Sequence, residues 1–76
     1  MASEVHPFLK KMITVNGEQQ DIRAGETLQE LLEARGYRIG VIAVEYNGLI
    51  LKKEDYAATV LQPGDKLEVV SFVGGG

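Results

Sequence analysis

Two periods of apolar spacing organise this chain. Near its start Ile13-Thr14-Val15, and near its end Lys66-Leu67-Glu68-Val69-Val70-Ser71-Phe72, follow the two-residue alternation of β-strands. Between them Leu28, Leu31, Leu32 and Arg35 recur at helical spacing, which turns Gln29, Glu30 and Glu33 outward. The leucine stripe predicts one amphipathic helix packed on a sheet.

Turn signals divide the remainder. Asn16-Gly17 predicts a tight hairpin between residues 13–15 and 18–23, because both positions of a type I′ turn need positive φ. Ala24-Gly25 ends the second strand. Thr27-Leu28-Gln29-Glu30 has capping-box spacing, and Gly36 stands where a left-handed helix cap belongs. Residues 40–46 are rich in β-branched side chains and predict a strand. Asn47-Gly48 then turns the chain into Leu49-Ile50-Leu51, and Lys53-Glu54-Asp55-Tyr56 suggests a short helical turn. In Pro63-Gly64-Asp65 proline presets one turn dihedral and glycine takes the positive-φ position before the last strand, 66–72.

A hairpin, one helix, a strand, a short strand and a final strand fit an α+β architecture of the β-grasp type. In it a mixed sheet curls around the helix, with the last strand central and paired to the first. Residues 12–73 would form the domain. Residues 1–11, with Pro7 and no clear period, read as a loose extension, and Met12 could itself serve as a start.

Composition narrows the function. At 76 residues the chain has room for one domain and little for a deep pocket of its own. A formal charge of -3, with basic residues scattered as Lys10-Lys11 and Lys52-Lys53, argues against general nucleic-acid binding. The absence of cysteine excludes disulfides and thiolate chemistry, and the single histidine, His6, reads as an exposed side chain. Neither a catalytic serine–histidine constellation nor a phosphate-binding glycine loop is present. No apolar run is long enough to span a membrane, and without a signal-peptide pattern the default location is the cytoplasm. Nothing here predicts an enzyme or a bound cofactor or metal.

The sequence closes on Phe72-Val73-Gly74-Gly75-Gly76. Glycine is costly to order, so residues 74–76 are expected to be a mobile, exposed tail. A backbone without side chains suits threading into a narrow channel, which would present the Gly76 carboxylate to another protein's active site. A frayed terminus is the plainer alternative. Strand parity adds a docking face. With Leu67 and Val69 turned toward the helix, Val70 and Phe72 point outward. Ile42, Val44 and Tyr46 would likewise face inward, leaving Val41, Ala43 and Glu45 outside. Val70, Phe72, Glu68, Ala43 and Glu45 are the candidate partner surface.

Residues 12–76 resemble the ThiS-type sulfur carriers of thiamine biosynthesis, which are related to ubiquitin. The resemblance rests on the order and spacing of five stretches. They are Ile13-Thr14-Val15-Asn16-Gly17, the run from Ala24 to Leu32, Val44-Glu45-Tyr46-Asn47-Gly48, Pro63-Gly64-Asp65 and the terminal glycines. It implies that a ThiF-like enzyme uses ATP to adenylate the Gly76 carboxylate. A sulfur donor protein then enables its conversion to a thiocarboxylate, which a ThiG-like thiazole synthase consumes. ATP would be bound by the partner and not by this chain. The small subunit of molybdopterin synthase shares fold and tail but commonly has proline before its glycines. Val70-Ser71-Phe72-Val73 has none, which favours the thiamine pathway. A ubiquitin-like modifier, whose tail forms an amide with a target lysine, is the alternative from another class.

Overall fold

The computed structural model describes residues 11–72. Residues 1–10 of the expected extension, Val73 and the glycines 74–76 lie outside the described residues. Strand β1 (Met12–Val15) turns through Asn16-Gly17 into β2 (Glu18–Asp21). The helix α1 (Leu28–Ala34) follows, then a 3-10 turn (Ile39–Val41), β3 (Ile42–Tyr46), β4 (Leu49–Ile50), a second 3-10 segment (Lys53–Ala58) and β5 (Lys66–Ser71). The strands form one five-stranded sheet in the order β2-β1-β5-β3-β4. β5 is central, parallel to β1 and antiparallel to β3. This is the expected β-grasp arrangement.

Local chemistry accounts for the boundaries. Both Asn-Gly turns take left-handed φ at each position, 51° and 87° at Asn16-Gly17 and 50° and 89° at Asn47-Gly48, as type I′ geometry requires. At the helix start, Thr27 Oγ1 accepts from the Glu30 N–H at 3.1 Å, while Glu30 Oε1 accepts from the Thr27 N–H at 3.0 Å. At its end Gly36 adopts φ 85°. The Tyr37 N–H then donates to the Leu32 carbonyl and the Gly36 N–H to the Glu33 carbonyl, each at 3.0 Å, the two hydrogen bonds of a Schellman motif.

The core lies between α1 and one face of the sheet. Leu28, Leu31 and Leu32 pack with Ile13, Val15, Ile42, Val44, Leu67 and Val69, and Tyr56 and Leu61 complete the cluster. The Leu28 N–H bonds the Thr59 carbonyl at 2.8 Å and the Leu61 N–H bonds the Glu26 carbonyl at 2.9 Å. These bonds tie the helix entry to the segment that delivers Leu61.

Four expectations change. The β3 strand begins at Ile42 and not at residue 40, because Ile39-Gly40-Val41 forms a 3-10 turn. Val41 is therefore not outward. It is half-buried against the core, since the turn breaks the alternation that parity counting assumed. β2 ends at Asp21, after which Ile22 dips into the core and its N–H bonds the Lys11 carbonyl at 2.8 Å. Arg35 caps the helix and is exposed, so the apolar stripe consists of the three leucines.

Candidate functional site

β5 presents two different faces. Leu67 and Val69 are 0% and 8% exposed beneath the sheet, whereas Val70 and Phe72 are 57% and 61% exposed on the other side. The register across β3 sets their neighbours. Val70 lies opposite Ala43, and Glu68 lies opposite Glu45. One strand further, β4 places Ile50 opposite Glu45. Ala43, Glu45, Ile50, Glu68 and Val70 thereby line a shallow depression on the solvent face. The Phe72 N–H bonds the Val41 carbonyl at 2.7 Å, so the β3–β5 ladder continues to the last described residue.

The structure thus gathers the expected surface residues Val70, Glu68, Ala43 and Glu45, with Phe72 one residue beyond the end of β5. Ile50 is a member that sequence reasoning missed. Its signal was available, because a two-residue turn at Asn47-Gly48 forces Tyr46 opposite Leu49 and Glu45 opposite Ile50. Ile50 is 76% exposed, the most exposed of the large apolar side chains on the described residues. Gly74, Gly75 and Gly76 lie outside the described residues.

Side-chain hydrogen bonds hold this face in register. Asn47 Oδ1 accepts from the Lys66 N–H at 2.8 Å, and Asn47 Nδ2 donates to Asp65 Oδ1 at 3.0 Å. The buried Asp65 carboxylate also accepts from the Tyr46 hydroxyl and from the Gln62 N–H. Burial alone would raise the Asp65 pKa, but the bonds from Tyr46, Asn47 and Gln62 outweigh it and hold the group below its ordinary value. The Tyr46 phenol is pushed up to about 12, first by burial and then by its bond to Asp65 and the charge there. Burial also raises Tyr56, against a backbone hydrogen bond from Val44.

These groups brace turns and core and do not face the depression. Among the described residues, no group of three or more His, Cys, Asp or Glu side chains is placed to hold a metal ion. No helix there is long and apolar enough to cross a membrane. What the face presents is apolar side chains around two carboxylates, beside the strand that precedes the glycines in sequence.

A β-grasp sheet with an exposed apolar face on its central, last strand defines a ubiquitin-like domain. The profile of the ThiS family matches residues 13–76, and the chain belongs to that family. It is 44% identical over 64 residues to a thiazole synthase of Magnetococcus marinus, a match covering 84% of this chain and 20% of that protein. The chain thus spans about a fifth of the length of the relatives of that kind. It is 31% identical over 64 residues to the sulfur carrier protein ThiS of Escherichia coli, covering 84% of this chain and 97% of that one. The crystal structure of a thiamine biosynthesis protein (ThiS) from Geobacter metallireducens superposes with a TM-score of 0.69 at 35% identity, over 86% of this chain and 99% of the other.

Proposed function

We propose that this chain is a sulfur carrier that supplies sulfur for the thiazole ring of thiamine. The observation that carries the reading is that the family match extends over residues 13–76 and so includes the terminal glycines. A carboxylate is a poor electrophile until one oxygen becomes part of a good leaving group. The Gly76 carboxylate attacks the α-phosphorus of ATP on a ThiF-like activating enzyme and displaces pyrophosphate. Sulfur at the sulfide level, supplied through a donor protein, then displaces AMP and leaves a thiocarboxylate. A ThiG-like thiazole synthase receives that sulfur. ATP and its metal belong to the activating enzyme, so the carrier is a substrate in the cytoplasm and not a catalyst.

In this reading Gly74 and Gly75 enter the partner's channel because no side chain obstructs them. Val70, Phe72, Ala43, Glu45 and Glu68 hold the partner against the sheet while Gly76 reaches the nucleotide. Deleting Gly76, or adding a residue after it, should abolish ATP–pyrophosphate exchange by the activating enzyme and leave the thermal melt unchanged. Normal exchange by the extended form would exclude the mechanism. Intact mass of the protein from its native cell is the second test. Exchange of one oxygen for sulfur supports the carrier, and lysine-linked conjugates would instead identify a modifier.

A further inference from the structure

Glu45 and Glu68 stand directly opposite each other on neighbouring strands. Like charges in that position destabilise a sheet, and the effect grows where water is partly excluded. Glu68 is half-buried, and among the described residues neither carboxylate forms an ion pair. Apolar side chains flank the pair, with Ile50 beyond Glu45 and Val70 two residues along from Glu68. The domain therefore presents two carboxylates on adjacent strands within an otherwise apolar patch.

We infer that the Glu45–Glu68 pair receives one cationic side chain, an arginine by preference, from the apolar docking surface of a protein partner. A guanidinium is planar, holds its charge when partly desolvated, and has enough donors to serve two carboxylates together. Ile50 and Val70 would shield that contact from water and strengthen it. Other occupants fit less well. A second copy docked face to face would bring four carboxylates together. Anionic lipid and nucleic acid would meet the same two charges with their own. The inference rests on the sulfur-carrier reading for the identity of the partner, and it adds the chemistry by which that partner is recognised.

The test uses the activating enzyme and the thiazole synthase of the same organism as probes. Affinity is measured by calorimetry over a series of salt concentrations for wild type, E45Q, E68Q and E45Q/E68Q. The expected result is a loss of tenfold or more in the double variant against at least one probe, with a flatter dependence on salt. The free variants should melt no lower than wild type, because neither carboxylate forms an ion pair among the described residues. Unchanged affinity of the double variant for both probes, with wild type still adenylated, overturns this inference and leaves the carrier reading intact. Wild type that is neither adenylated nor bound removes both. Self-association of wild type through this face, abolished by V70D in sedimentation, would also overturn it.

Discussion

The side-chain amide of Asn16 brackets the backbone of Val69, with Oδ1 accepting from the Val69 N–H at 2.7 Å and Nδ2 donating to the Val69 carbonyl at 3.3 Å. The β1–β5 pairing has already ended at Val15 and Leu67, so the amide stands in for the next backbone rung. Asn47 does the equivalent at the other end of β5, where its Oδ1 accepts from the Lys66 N–H and its backbone N–H bonds the Lys66 carbonyl at 2.8 Å. Two turn asparagines thus fasten the central strand from both sides.

Asn16→Gly separates this role from the turn itself, since glycine keeps the left-handed conformation and removes only the amide. The expected loss is about 1–2 kcal/mol in a urea melt, that of a hydrogen bond whose partner becomes poorly satisfied. Amide exchange at Val69 should quicken more than exchange at Leu67. An unchanged Val69 rate would show that the bracket contributes nothing.

The helix provides a ranking. Thr27→Ala removes one half of the capping box and should cost about 1 kcal/mol. Leu31→Ala opens a cavity among buried leucines and should cost about 2–5 kcal/mol. Denaturant melts that reversed this order would contradict the packing of α1.

Asp65 provides the pH dependence. Its folded pKa lies below the ordinary 3.8, so the unfolded chain binds its proton first as pH falls. Stability from this group is therefore complete well above 3.8 and is lost as the pH drops through the lower folded value. Asp65→Asn places an amide among three donors and should cost about 1–3 kcal/mol at neutral pH. The gap between variant and wild type should narrow on acidification. A gap that stays constant down to about pH 2 would remove Asp65 from the acid response.

Val70→Asp and Phe72→Asp test the proposed docking face at two exposed positions outside the core. Each should lower affinity for the activating enzyme tenfold or more by putting charge into a desolvated contact, while the melting temperature falls by only a few degrees, on the order of a 0.5 kcal/mol surface change. Loss of the folded baseline would mean that these side chains support the core after all.

Much of this architecture was legible because its determinants are local. The two Asn-Gly pairs, the Thr27–Glu30 box, Gly36 and Pro63-Gly64 each prescribe backbone geometry within four residues. Parity along β5 then separated Leu67 and Val69 from Val70. Parity failed at Val41, where Ile39-Gly40-Val41 has strand-like composition and its placement follows from the core edge. The opposition of Glu45 and Glu68 depends on the register of two strands far apart in sequence, for which no local residue is a sign. Asn16 is likewise recognisable as a turn residue, but its bond to a strand 53 positions away is visible only in the fold.

Fastening β5 at Lys66 and Val69 has a consequence for how such a domain changes over time. A slip of one residue would drive Glu68 and Val70 into the core and expel Leu67 and Val69. With the slip prevented, substitutions at Glu68 and Val70 leave the packed side of the same strand undisturbed. The exposed side of β5 can then change by single replacements while the fold stays constant, so one framework can carry different outer surfaces without being rebuilt.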